Sequence, residues 1–230
     1  MQQTNNSISQ GFRDAFPVLL GFIPFGLVLG AQGTASHMTL WQVPLMTGVN
    51  FAGGSEFAAI GLWASPPPLL LIMFTTFLVN CRHILMSAAL TPYLKGLPLR
   101  KTLLVLFFMC DEAWALALNH IKQRALRQLD LRYYFSMALS LYLSWIISTG
   151  VGAWIGPLLG DIKQYGFDIA FVAVFLVLLK GMWTGFRPAI AWLVSLVVAA
   201  ISYQLFAGAW YVLFGTLSGL IIAYFLEKHK

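Results

Sequence analysis

Apolar residues in this chain come in long runs separated by short polar breaks. Eight runs are legible, at about 15–35, 41–63, 67–91, 99–120, 133–155, 169–186, 188–206 and 210–226. Each is close to the roughly 20 apolar residues that a helix needs to cross a bilayer. The pattern predicts an all-α, polytopic transmembrane helical bundle of eight spans, with seven as the alternative. Local punctuation agrees. Trp41, Trp63, Trp154 and Trp210 fall at run ends, where interfacial tryptophans belong. Ser65 followed by three prolines reads as a helix start, and Asp168 reads as an N-cap. Pro24 and Gly26 predict a kink in the first run. One transmembrane domain over 15–226 is expected, with a polar cytoplasmic segment at 1–14 and a tail at 227–230. The opening MQQTNNSISQ lacks the basic region and cleavage site of a signal peptide, so the first run should remain as a span.

Composition strengthens this picture. Hydrophobic residues make up 59% of the chain and charged residues 10%, against roughly 25% charged in soluble domains. The net charge of +6 lies mainly in the breaks between runs, which argues for membrane orientation and against nucleic-acid binding. With eight spans and both termini cytoplasmic, the inner regions hold nine cations, the densest group being Lys122, Arg124, Arg127 and Arg132. The outer loops hold four: Lys95, Arg100, Lys101 and Lys163. The Lys95–Lys101 turn is the discordant piece. A re-entrant second run would move that turn inward but put the larger 122–132 cluster outside. Cys81 and Cys110 both lie in apolar runs, with no disulfide or zinc spacing.

The fifth run carries small residues at every fourth position: Ser136, Ser140, Ser144, Ser148, Gly152 and Gly156. Such a stripe lets helix backbones approach closely, either as a static contact or as a sliding interface. Gly26/Gly30, Gly181/Gly185 and Gly215/Gly219 repeat the spacing elsewhere.

Polar residues inside the apolar runs carry the candidate chemistry. Asn80-Cys81-Arg82-His83 lies deep in the third run and Asp111-Glu112 deep in the fourth. Ionisable residues at that depth are expensive and mark functional sites by default. Counted from the intervening turn at about 1.5 Å per residue, Arg82 and Asp111 lie at similar depth, so Arg82 can meet Asp111 or Glu112. The alternative is an ion pair that only fixes helix register. His83 is a candidate proton carrier. The second run holds Asn50-Phe51-Ala52-Gly53-Gly54-Ser55-Glu56-Phe57. Paired glycines weaken a helix interior by about 1 kcal/mol each, so a broken or kinked second helix is expected there. A half-helix starting at Gly53-Gly54 would aim its positive end at an anion, as discontinuous helices do in secondary transporters. Close packing is the alternative for the glycines, and a solvated vestibule for Glu56. No enzyme motif is present, and Arg82 beside His83 argues against a metal site.

These stretches together resemble the AzlC family, the large subunit of bacterial branched-chain amino-acid exporters. FAGGSEF is similar to that family's pattern of an aromatic residue, Ala-Gly, a small residue, Ser and Gln-Phe. NCRHILMSAAL resembles its Asn/Asp-x-Arg-His stretch, CDEAW its Thr-Asp-Glu stretch, and GFDIAF also fits. Glu56 and Cys110 depart from the expected glutamine and threonine. The resemblance implies a proton-driven exporter of valine, leucine and isoleucine, with methionine at the edge of its range. It implies a multi-pass protein of the bacterial inner membrane, working with a small AzlD-type membrane subunit and no cofactor. On this reading Gly53, Gly54, Ser55, Glu56, Asn80, Arg82, His83, Asp111 and Glu112 form the substrate site. Arg82 and the Gly53-Gly54 backbone hold the carboxylate, and Asp111 or Glu112 the ammonium. Phe51 and Phe57 line the apolar pocket, and Glu56, His83 or Asp111 couples protons. The rival readings are an intramembrane enzyme using His83 with Asp111 and Glu112, and a structural subunit whose charges lock helices.

Overall fold

A computed structural model describes residues 2–158, 185–206 and 210–228, and all regular structure among them is helical. Three continuous helical stretches are long and apolar enough to span a membrane: Ser7–Ala35, Leu69–Leu94 and Leu131–Leu158. The first lies in α1 (Gln2–Ala35), which runs unbroken through Pro17 and Pro24. At about 1.5 Å per residue α1 exceeds a roughly 30 Å hydrocarbon core, so its first turns project from the membrane. The polar segment at 2–14 therefore continues the first helix. The second stretch joins α4 (Leu69–Asn80) to α5 (Arg82–Leu94) through Cys81, which keeps right-handed angles of φ −60 and ψ −19. The third is α8 (Leu131–Ile155) with a short 3₁₀ turn, Gly156–Leu158. Asp130 caps α8 by accepting from the backbone N–H groups of Arg132 and Tyr133.

The helices α1 and α8 run parallel and in close contact along the stripe of small residues. A Cβ on Gly11 would come 2.0 Å from Ser136 Oγ, one on Gly26 2.0 Å from Ser148 Oγ, and one on Gly152 2.2 Å from Leu27 O. A Cβ on Gly30 would come 2.1 Å from Thr149 O. The stripe thus has its crossing partner in the first helix, at the Gly26/Gly30 pair with the same spacing. Its polar end is tied by Tyr133 Oη, which donates to Asp14 Oδ2 at 3.0 Å.

Two pairs of short helices complete the frame, and both fold back on themselves. In the first, α2 (Gln42–Asn50) and α3 (Gly53–Gly61) are separated by Phe51 and Ala52. Going inward, Val43 meets Gly33 near the end of α1, and Gly48 O accepts from Tyr142 Oη on α8. Going outward again, Ala59 and Trp63 share a surface groove with Met38 and Gln42, where the pair began. In the second pair, α6 (Leu99–Phe107) and α7 (Asp111–Gln123) are separated by Phe108–Cys110. Lys101 lies beside Arg132 at the start of α8, and Val105 O accepts from Tyr134 Oη. Phe108 reaches Tyr142, with ring centroids 5.0 Å apart. Then α7 retraces the path, until His120 stacks on Tyr133 at 3.7 Å and Arg124 donates to Gln10 on α1. Two further bonds join the turns on this side: Leu129 N donates to Tyr93 O, and Gln128 Nε2 to Lys95 O.

Among the described residues the second and fourth runs are each broken into two short helices, so the expected count of eight spans is not confirmed. Their two breaks line one cavity. If both pairs turn back, the order "spanning helix, re-entrant pair" occurs twice with inverted direction, as in secondary transporters built from inverted repeats. That arrangement also removes the discordant turn. Arg13, Lys95, Arg100, Lys101, Lys122, Arg124, Arg127 and Arg132 then share one side, while 36–41 and 62–68 on the other hold no Lys or Arg.

The last two helices, α9 (Phe186–Leu205) and α10 (Trp210–Lys228), match the seventh and eighth runs. They pack through Gly215 and Gly219, whose added Cβ atoms would lie 2.8 Å from Ala199 Cβ and 3.0 Å from Ser195 Cβ. Most of the sixth run, with Asp168, Lys163, Lys180, Gly181 and GFDIAF, lies outside the described residues.

Candidate functional site

The two breaks, the tips of their helix pairs, and the α4–α5 junction at Cys81 converge on one cavity. Its walls are Phe51, Ala52, Gly53 and Gly54 from the first tip, Cys110, Asp111 and Glu112 from the second, and Arg82 and His83 from the start of α5. Phe22 and Phe25 from α1 and Trp145 from α8 close the remaining side. The N-termini of α3, α5 and α7 all meet here. Of these, α3 and α7 start at real breaks and bring N-terminal backbone N–H groups and the positive end of a helix dipole, a setting that favours anions.

The first break comes at Phe51, which adopts the left-handed region at φ 44 and ψ 48. A bulky residue there is strained, and such strain clusters at functional sites. The ring is held against Tyr142, at 5.1 Å between centroids. The expected break at Gly53-Gly54 thus lies one or two residues earlier, and the glycines begin α3. Gly53 is required by contact: a Cβ there would lie 3.2 Å from Trp145 Cζ2. The second break ends in an extended Cys110 at φ −111 and ψ 177. Asp111 and Glu112 occupy the first turn of α7, where negative charge complements the dipole.

Arg82 Nη2 bonds Asp111 Oδ2 at 2.9 Å, so the anticipated pair forms. The two side chains are 42% and 45% exposed, so the pair is not sealed inside the protein. Arg82 Nε is buried without a partner among the described residues, leaving a charged donor unmet.

Behind the lining runs a second layer. Asn80 Nδ2 donates to Asn50 Oδ1 at 2.9 Å, Asn50 Nδ2 to Ser55 Oγ at 2.7 Å, and Ser55 Oγ to Ala52 O at 2.9 Å. This chain fastens the α4–α5 junction to the first tip. His83 Nδ1 lies 3.1 Å from Asn80 O. Glu56 is fully buried, accepting from Ala52 N at 2.9 Å and from Trp145 Nε1 at 2.8 Å.

Of the expected site residues, Gly53, Gly54, Arg82, His83, Asp111 and Glu112 line the cavity. Ser55, Glu56 and Asn80 support it from behind. Phe51 lines it, whereas Phe57 is stacked behind Phe25 at 4.7 Å. Sequence reasoning missed Phe22, Phe25 and Trp145, since an aromatic residue in an apolar run carries no distinguishing mark. The only available signal for the second tip was the acidic pair, which reads as the first turn of a new helix.

The cavity is amphiphilic: Arg82, Asp111 and Glu112 line it together with Phe22, Phe25, Phe51 and Trp145. Its volume is about 70 Å³, well below the roughly 300 Å³ at which ligand pockets begin. A small organic molecule enters only if the tips move apart.

Comparison with known proteins points the same way. A family model described as "AzlC protein" matches residues 17–159, a stretch that includes every lining residue named above. The "Branched-chain amino acid transport protein AzlC" of Bacillus subtilis (strain 168) is 25% identical over 230 residues, covering 97% of this chain and 88% of that protein. An "Uncharacterized membrane protein" of Archaeoglobus fulgidus is 29% identical over 174 residues, covering 74% and 73%. Another from Haemophilus influenzae is 24% identical over 224 residues, covering 95% and 89%. No solved structure matches the chain.

Proposed function

The chain belongs to the AzlC family of membrane proteins, and on that premise we propose that it is a secondary transporter exporting branched-chain and related neutral amino acids. Valine, leucine and isoleucine are the main substrates, with methionine at the edge. The observation that carries this reading is the amphiphilic cavity between the two re-entrant tips. A zwitterion with an apolar side chain needs a cation, an anion and an apolar wall in one small space. Arg82 with the N–H groups at Gly53-Gly54 suits the carboxylate, Asp111 or Glu112 the ammonium, and Phe22, Phe25, Phe51 and Trp145 the side chain. The substrate replaces the internal Arg82–Asp111 pair with two new pairs, so no charge is left unmatched on binding.

Movement follows from the inverted architecture. One tip belongs to the outer side and the other to the cytoplasmic side, and withdrawing either opens the cavity to that side alone. The driving ion is a proton. His83 and Asp111 line the cavity and can exchange one directly. Glu56 sits behind the first tip, where a proton would remove one of its accepted bonds and loosen that tip. A small AzlD-type membrane subunit works with the chain. The enzyme reading suits the site less well, since the cavity holds no activated nucleophile.

Counterflow of labelled valine in proteoliposomes, with and without the small subunit, tests the reading. Saturable exchange of valine, with the label chemically unchanged, supports it. No exchange under either condition would refute it, and an altered product would revive the enzyme.

A further inference from the structure

We propose that Trp145, oriented by Glu56, is the selectivity-determining wall of the cavity, a proposal that rests on the transport reading above. Trp145 is 2% exposed, and its indole forms part of the cavity lining. Phe22 and Phe25 hold it from α1, with centroids at 5.4 and 5.6 Å. Gly53 abuts it from the first tip. Packing limits its rotation, and the hydrogen bond from Nε1 to Glu56 Oε2 fixes what freedom remains.

The chemistry of Glu56 is dictated by its partners. Two of them are N–H donors, one on each oxygen: Ala52 N on Oε1 and Trp145 Nε1 on Oε2. A carboxylate offers two accepting oxygens, whereas glutamine offers one oxygen and an NH₂ that only donates. Glutamine at 56 would therefore confront one N–H with another. Glu56 does not line the cavity, so it acts through Trp145 as a positioning residue. It ties the indole to the backbone of the moving tip.

Selectivity follows from distance. Arg82 and the second tip fix the zwitterionic end of the substrate, and the rigid indole limits the length of its side chain. Trp145→Phe removes part of that wall and the donor to Glu56. The enlarged pocket should admit aromatic side chains. In this background Glu56→Gln should cost less than it does in the wild type, because its oxygen still serves Ala52 N–H and its NH₂ no longer faces a donor.

The test is counterflow of labelled valine in proteoliposomes of the complete transporter, with unlabelled leucine, methionine or phenylalanine as competitor. Wild-type protein should discriminate against phenylalanine. Trp145→Phe should gain competition by phenylalanine by roughly 10-fold or more, the scale on which pocket size discriminates apolar side chains. Glu56→Gln alone should weaken valine exchange and lower the melting temperature. The double variant should lose less than the sum of both single losses. Should Trp145→Phe fail to assemble, Phe25→Leu opens the same wall without touching the clamp. Normal valine exchange with an unchanged competitor ranking would overturn the proposal alone, as would additive losses in the double variant. Absence of valine exchange by wild-type protein would instead refute the transport reading itself.

Discussion

Arg82 and Asp111 show what single residues contribute here. Each stands at a helix start, Arg82 at α5 and Asp111 at α7, and they meet at 2.9 Å across the cavity. If the pair opens to accept a zwitterion, Arg82→Gln removes the carboxylate partner while Asp111 stays in place. A hydrogen bond to a charged group contributes about 1.5–3 kcal/mol. Apparent affinity should therefore fall roughly 10- to 100-fold, since 1.4 kcal/mol is tenfold. Membrane insertion and the elution profile in detergent should be unchanged. Wild-type valine exchange in this variant would remove Arg82 from the mechanism. Asp111→Asn should show a loss of similar size, with competition by deaminated analogues less affected than competition by amino acids. These residues were legible in the sequence because a charge in an apolar run is conspicuous. Phe22, Phe25 and Trp145 were not, because hydrophobicity hides a pocket wall among lipid-facing and core residues alike.

At the scale of elements, the α1–α8 contact and the two tips behave differently under substitution. Along the stripe, the atom facing Gly152 is the backbone carbonyl of Leu27, so no side-chain rotation can make room. Gly152→Leu should force the helices apart, costing at least the roughly 1–3 kcal/mol typical of overpacking. Yield, thermal stability and transport should fall together. A monodisperse, fully active Gly152→Leu protein would show that this contact does not hold the fold. Ser144 offers the contrast. Its hydroxyl is buried with no partner among the described residues, so Ser144→Ala should be neutral or raise the melting temperature slightly. The stripe could be read from spacing alone, though its partner could not. The first break was legible in Gly53-Gly54, with an error of one or two residues. The glycines serve close approach to Trp145, while the strained φ falls on Phe51. The second break was not foreseen, because Phe107-Phe108-Met109-Cys110 is as apolar as any helix centre.

The whole molecule is where hydropathy misleads most. A run of about 20 apolar residues satisfies the membrane equally well whether its helix crosses once or turns back halfway. Periodicity therefore could not separate two re-entrant pairs from two spans. Charge could have done so, since the Lys95–Lys101 turn violates the inside rule only while the second run crosses, and the 122–132 cluster stays inside only if the fourth run turns back as well. Placement of the loops tests the fold directly. In a protein with Cys81 and Cys110 replaced by alanine, single cysteines at Thr39, Ala64, Lys95 and Arg127 would report the side of each exposed turn to a membrane-impermeant thiol reagent. Two re-entrant pairs put Thr39→Cys and Ala64→Cys outside, and Lys95→Cys and Arg127→Cys in the cytoplasm. Eight simple spans put Thr39→Cys and Lys95→Cys outside, and the other two inside. The decisive positions are thus 64 and 95, whose predicted sides exchange between the two folds. Labelling of Ala64→Cys but not Lys95→Cys in intact spheroplasts, with both labelled after lysis, supports the inverted pair. The reverse pattern would return the second and fourth runs to spans, and with them would go the meeting of two tips on which the cavity depends.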